Sequence, residues 1–299
     1  MKLCEGRVAV VTGGGRGVGR AYALMLAKHG AKVVVNDLGS AADGRGSDQT
    51  PAEEVVEAIR LAGGEAVADA SDVSDWTGAS TMITRAVDTF GRLDVLVNNA
   101  GILRDRMLVN MTESEWDSVI KVHLKGTFAP THHAANYWRT QNKAGNKVDA
   151  RVINTTSHSA LFANVGQVNY AAAKAGIASF SQVAARELQR YGVTVNALAP
   201  RANTRMTEGL REWTEEQIER RDPEWIAAFV AWLASPESHY VSGRVFEVWG
   251  YGIAVAESWQ HGPITEASKD PAELGPRIAQ ILKFARANAG IDRDTWLDP

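Results

Sequence analysis

Arg7-Val-Ala-Val-Val-Thr12, followed at once by Gly13-Gly14-Gly15-Arg16-Gly17-Val18-Gly19, decides how this chain folds. The first six residues are an apolar, β-branched run of strand length. Beyond the glycines, residues 21–29 carry the apolar spacing of a helix that stops at Gly30. A strand, a glycine turn and a helix in that order bring backbone N–H groups and the positive end of a helix to one point, where a pyrophosphate can be held. A glycine cluster alone reads equally well as a flexible loop, and it is the flanking strand and helix that favour binding. Gly13, Arg16, Gly17, Val18 and Gly19 are therefore candidate binding residues. Their spacing is Thr-Gly-x-x-x-Gly-x-Gly rather than Gly-x-Gly-x-x-Gly.

Residues 32–36 form a second apolar strand, and Asp37 ends it about 20 residues beyond the turn. A carboxylate there accepts from both ribose hydroxyls of an adenosine and repels a 2′-phosphate, so NAD is the expected cofactor in preference to NADP. Arg16 argues the other way, because a guanidinium in the turn offers charge to a phosphate. A third strand at 66–70 runs into Ser71-Asp72-Val73, where Asp72 either accepts from the adenine amine or caps the next helix. Asn98-Asn99-Ala100-Gly101 follows the fourth strand at 93–97. Small and amide residues there let the backbone pass close to a ribose.

Helical spacing recurs at 51–62, 75–90, 113–141, 167–190 and 223–234, with strands at 148–155, 193–198 and 244–249. Such regular alternation predicts an α/β fold, a doubly wound parallel sheet covered on both faces, in a single domain over residues 1–250. Residues 200–221 are mixed and charged, as suits a flap over a pocket. Residues 250–299, with a helix at 276–289, read as a C-terminal extension packed on the same domain.

The 299 residues are 45% hydrophobic and 22% charged, the range of ordinary globular proteins. A net charge of -3 with no basic run gives no support to nucleic-acid binding. No apolar stretch approaches the roughly 20 residues that span a bilayer, and no signal peptide is expected ahead of the first strand. One cysteine, Cys4, forms no internal disulfide, which fits a cytoplasmic setting. The seven histidines lack metal-ligand spacing, so no metal is expected, and His132 and His133 read as structural.

The chemistry gathers at Asn169-Tyr170-Ala171-Ala172-Ala173-Lys174, with Ser157 upstream at the end of the fifth strand. On a helix, Tyr170 and Lys174 project from one face. A cation about 4 Å from a phenol contributes roughly 4 kcal/mol at an effective dielectric of about 20. Before solvent reduces it, that is enough to draw the phenol from about 10 toward neutrality. A hydroxyl such as that of Ser157 can donate to a carbonyl oxygen gaining charge. Tyr-x-x-x-Lys alone is more often a solvated pair, and the other motifs give it weight.

Assembled in order, Thr12-Gly13-x-x-x-Gly17-x-Gly19, Asn98-Asn99-Ala100-Gly101, Ser157, Tyr170-x-x-x-Lys174 and the Pro200 segment resemble the short-chain dehydrogenase/reductase family over the first 250 residues. Within it, the chain is most similar to the branch of (3R)-hydroxyacyl-CoA dehydrogenase units of multifunctional enzymes of type 2, also described as 17β-hydroxysteroid dehydrogenases. That similarity rests on Val35-Asn36-Asp37-Leu38-Gly39, residues 98–106, Val122-His123-Leu124-Lys125-Gly126 and Phe246-Glu247-Val248.

The resemblance implies an NAD-dependent oxidoreductase acting on a small molecule, a 3-hydroxyacyl-CoA or a steroid, and working as a homo-oligomer. By it, Tyr170 is the acid/base and Ser157 orients the substrate oxygen, while Lys174 binds the nicotinamide ribose and lowers the tyrosine pKa. Asp37, Asp72, Val73 and Asn99 meet the adenosine half, with Pro200, Ala202 and Thr204 at the nicotinamide end. Many members have asparagine where His123 stands, with its carbonyl holding a water in a proton relay, and His123 retains that carbonyl. The usual Pro-Gly is here Pro200-Arg201. Arg104, Arg106, Arg201 and Arg205 are candidates for coenzyme A phosphates or simply solvated. A catalytically silent dinucleotide-binding regulator is disfavoured by the intact Ser157, Tyr170 and Lys174.

Overall fold

Valine-rich runs supply the strands of the computed structural model, which describes residues 2–46, 48, 50–202, 214–286 and 289. They are β1 (Val8–Thr12), β2 (Lys32–Asn36), β3 (Ala66–Asp69), β4 (Val95–Asn98), β5 (Ala150–Thr155), β6 (Val193–Pro200) and β7 (Val245–Trp249). Every residue of β1, β4 and β5 is buried, as strands covered on both faces must be. All seven run parallel, and β8 (Gly252–Ala256) adds an antiparallel edge to give the order β3-β2-β1-β4-β5-β6-β7-β8. Chain order reverses between β1 and β4, which opens a crevice at the carboxyl ends of the strands.

The helices are α1 (Gly17–Lys28), α2 (Thr50–Leu61), α3 (Trp76–Phe90), α4 (Glu113–Ile120), α5 (Gly126–Lys143), α6 (His158–Phe162), α7 (Val168–Leu188), α8 (Glu215–Glu219) and α9 (Pro223–Ala234). Their ends follow local chemistry. Asp75 caps α3 by accepting from Gly78 N–H, and Gly91 closes it in a left-handed conformation at φ 81°. A Thr112/Glu115 capping box starts α4, and Asp222 with Pro223 starts α9.

Alternate strand residues feed two cores. Ala9, Val11, Val33 and Val35 pack with Tyr22 and Leu26 of α1, Ile59 of α2 and Ile226 of α9. Val8, Val10 and Val34 pack on the other face with Met82 of α3, Trp138 of α5 and Ala185 of α7. The doubly wound parallel sheet expected from the sequence is thus the observed architecture.

Two details depart from the sequence reading. The single helix expected at 113–141 is broken by a π-helical turn at Lys121–Lys125, where the extra residue widens the spiral and carries His123 inward to 2% exposure. The sheet also runs one strand further than Trp249: Tyr251, at φ 70°, reverses the chain into β8.

The chain divides into two compact units, Met1–Ala256 and Glu257–Pro299. The second holds α10 (Leu274–Phe284), which ends where Ala285 becomes extended, short of the expected residue 289. Arg277 pairs with Glu273 at 2.8 Å within it. Of the expected flap, residues 203–213, including Thr204 and Arg205, lie outside the described residues.

Candidate active site

The glycine turn behaves as its spacing requires. Gly13 sits at φ 62°, and a Cβ there would lie 2.9 Å from Ala100 Cα. A Cβ on Gly19 would run into the Gly13 carbonyl. Asn99 ties the turn to β4: its side-chain amide donates to the carbonyls of Thr12 and Gly13 at 3.1 and 3.2 Å, while Thr12 Oγ1 accepts from Asn99 N–H at 2.9 Å. α1 then starts at Gly17 with no acidic residue in its first turn and no side-chain cap from Arg16, so its first N–H groups remain available to an anion.

Asp37 accepts from Gly15 N–H at 2.8 Å and Gly39 N–H at 2.7 Å, fixing both the turn and its own carboxylate. Asp72 binds Ser74 through its N–H and hydroxyl at 2.8 and 2.6 Å, and Asp75 is the helix cap, so Asp72 does not take the capping role. Gly13, Arg16, Gly17, Val18, Asp37, Asp72, Val73 and Asn99 all line one cavity of about 370 Å³ at the strands' carboxyl ends. A glycine cradle with free helix N–H groups beside a fixed carboxylate fits a dinucleotide.

Gly19 packs beneath this cavity rather than lining it. Pro200 ends β6, and Ala202, 8% exposed, belongs to the core; neither lines the cavity. Arg16 is already engaged: its guanidinium donates to Ser40 O at 3.3 Å and lies 3.9 Å from the Asp48 carboxylate. A larger cavity, about 570 Å³, is lined by residues of α5 and α7 such as Phe128, Arg139 and Phe180, with Arg190 just beyond α7, and holds none of the motif residues.

Ser157 caps α6 just past β5, where its Oγ accepts from Ser159 N–H at 3.2 Å and its hydroxyl is near enough to the Tyr170 phenol to favour its ionised form. Lys174 is 3% exposed; its Nζ donates to Thr155 O at 2.7 Å and stands 5.7 Å from the centre of the Tyr170 ring. The His123 ring meets Tyr170 edge-on at 5.1 Å. Its Nε2 lies 2.7 Å from Ile102 O and 3.0 Å from Ile102 N, the tautomer deciding which bond forms. A Cβ on Gly101 would strike this ring. Because Gly101 and Ile102 line the dinucleotide cavity, His123 connects that cavity to Tyr170. The structure thus brings Ser157, Tyr170, Lys174 and His123 together.

Burial sets the electrostatics. It pushes Lys174 down to about 7 and His123, with help from the Lys174 charge, down to about 3, so the imidazole is neutral. It also pushes the Tyr170 phenol above its ordinary value; the Ser157 hydroxyl works against that and Asp105 adds to it. The lowering expected from Lys174 is therefore not the leading effect in the protein itself. Its Nζ is turned to Thr155 O, and desolvation is the largest influence on the phenol.

Asn169 was legible only as part of the motif, yet it positions the tyrosine. Fully buried, its amide donates to Arg104 O and Glu115 O at 2.9 and 3.2 Å, and its carbonyl accepts from Tyr170 N–H at 2.7 Å. Gln167 similarly joins Ser159 to Asp105, each at 2.7 Å, bracing α6. Among the arginines considered for coenzyme A, Arg106 pairs with Glu115 at 3.1 Å, whereas Arg104 lines the dinucleotide cavity.

Fold and site together define a dinucleotide-dependent oxidoreductase built on a doubly wound sheet. A family model described as short chain dehydrogenase matches residues 7–215, and the chain belongs to that family. It is 48% identical over 252 residues to the hydroxyacyl-CoA dehydrogenase ChsB1 of Mycobacterium tuberculosis, covering 82% of this chain and 78% of that protein. It is also 48% identical over 229 residues to the peroxisomal multifunctional enzyme type 2 of Drosophila melanogaster, covering 77% of this chain but only 36% of that enzyme. A crystal structure of a short chain dehydrogenase from Mycobacterium avium superposes with a TM-score of 0.88 at 54% identity, covering 97% of this chain and 99% of that one. No described helix is long and apolar enough to cross a membrane.

Proposed function

We propose that the protein is an NAD-dependent dehydrogenase that interconverts a (3R)-3-hydroxyacyl-CoA and its 3-oxoacyl-CoA. The observation that carries this reading is the meeting of Ser157, Tyr170 and Lys174, linked through His123 to a cavity holding Asp37. The name of one relative, a hydroxyacyl-CoA dehydrogenase, supports the substrate class.

In oxidation, the Tyr170 phenolate takes the proton of the substrate hydroxyl while the Ser157 hydroxyl holds the same oxygen in place. A bound nicotinamide dinucleotide, which the glycine turn, Asp37 and Lys174 would hold, would supply the hydride acceptor in oxidation and the hydride donor in reduction. Lys174, beside the phenol, is proposed to bind the nicotinamide ribose, and the His123 carbonyl is proposed to hold a water of a proton relay. Ala202 and Thr204 are proposed to complete the nicotinamide end.

Two observations support NAD over NADP: the Asp37 carboxylate is fixed toward the cavity, and Arg16 is already bound to the loop at Ser40 and Asp48. Asp37→Ser is expected to lower the NAD-to-NADP ratio of kcat/KM by about 10- to 100-fold. Measuring kcat/KM with each cofactor checks this, and an unchanged ratio refutes the role of Asp37.

The substrate reading is tested by comparing kcat/KM for acyl-CoA thioesters, free steroids and simple alcohols. A clear preference for the thioester is expected, and good turnover of a free steroid without that preference rejects it. A homo-oligomer and a cytoplasmic setting belong to the same proposal. The exposed Phe128 and Val183 on α5 and α7 favour the first, which sedimentation velocity tests.

A further inference from the structure

We propose that Arg104 binds the diphosphate of the dinucleotide, as a second anchor supplied by the segment after β4. The proposal rests on the dinucleotide reading of the cavity and adds a residue to it.

Three cationic side chains line that cavity: Arg16, Arg104 and Lys121. Arg16 is bound to Ser40 O and faces Asp48, and Lys121 Nζ lies 3.9 Å from Asp72. The Arg104 guanidinium has no hydrogen bond or ion pair among the described residues, and its Nε is buried without a partner. A guanidinium nitrogen removed from water with nothing to donate to is costly, and a charged acceptor entering the cavity relieves that cost. The planar fork of arginine matches phosphate oxygens.

The backbone carrying Arg104 is held before any ligand arrives. Ile102 is bonded to His123, Leu103 N–H donates to Ala42 O at 3.0 Å, and Arg104 O accepts from Asn169 at 2.9 Å. The Leu103 bond also draws the loop after β2 against the segment after β4. Gly44, at φ 84°, packs on Ile102 so closely that a Cβ there would approach its side chain to 3.1 Å. Arg104 therefore sits on a wall braced from both sides, in the same cavity as Gly13, Gly17 and Asp37. The diphosphate is the anion that a glycine cradle places there, which favours it over the phosphates of coenzyme A.

The test measures equilibrium binding of adenosine, ADP, NADH and coenzyme A to the full chain and to R104Q and R104K by calorimetry, without turnover. R104Q is expected to weaken ADP and NADH about tenfold or more while leaving adenosine unchanged. R104K should fall between, keeping the charge but losing the fork. If ADP is unaffected and coenzyme A is weakened, Arg104 belongs to the substrate and the proposal is overturned. Equal weakening of adenosine also overturns it, since the residue is then only part of the wall. If the wild-type chain binds neither ADP nor NADH, the dinucleotide reading fails first, and the proposal with it.

Discussion

Replacing Tyr170 by phenylalanine is expected to lower kcat by about 10³-fold while leaving NADH affinity unchanged. General acid–base groups contribute about 10²- to 10⁴-fold, and the change removes one oxygen from a site whose dinucleotide contacts lie elsewhere. The ring itself stays, so the edge-on packing against His123 at 5.1 Å survives. Steady-state kinetics together with NADH binding check the expectation. A kcat within a few-fold of the wild type, or an equal loss of binding, places the proton exchange on another group.

Lys174→Met is expected to lower kcat/KM by a comparable factor and, at the same time, to make the protein more stable below neutrality. Burial lowers the ammonium to about 7, far below its ordinary value of 10.5. Between those two values the unfolded chain holds a proton that the folded chain does not, so wild-type stability rises with pH from about 7 to 10.5. Below 7 both states carry the charge, and the folded state bears the full desolvation cost. Methionine removes that cost at the loss of one bond to Thr155 O, a net gain on the order of 1–4 kcal/mol at pH 6. Urea denaturation of both proteins from pH 6 to 10 reads the difference. The gap should narrow as pH rises, and a constant gap, or a less stable variant at pH 6, contradicts the assignment. Activity and stability thus pull in opposite directions at this residue.

The sheet, its order and the glycine turn were legible because buried parallel strands write themselves as short valine runs between helical patterns, and 7–19 fixes the first of them. Ser157, Tyr170 and Lys174 were legible by spacing along β5 and α7. Four things were not.

The π-helical turn at Lys121–Lys125 leaves the apolar spacing almost unchanged, so 113–141 reads as one helix although His123 faces inward. β8 exposes Ile253 and Val255, so it lacks the buried run that marked the other strands. The engagement of Arg16 depends on Ser40 and Asp48, in a loop with no periodicity to place it.

The direction of the Tyr170 shift was hidden for a more general reason. Helical spacing gives the distance between a phenol and an ammonium, but not how much water either keeps. Lys174 is spent on Thr155 O, and the protein packed around the phenol decides the sign. A working acid/base then needs a further favourable charge, which the cationic ring of an oxidised nicotinamide dinucleotide would supply in the proposed reaction.

That requirement can be read directly from an ultraviolet difference titration of wild type against Tyr170→Phe, with and without NAD. One phenol is expected to ionise above the ordinary tyrosine value in the protein alone and at clearly lower pH once NAD is bound. The same ionisation in both, or a lower value in the protein alone, would contradict the account.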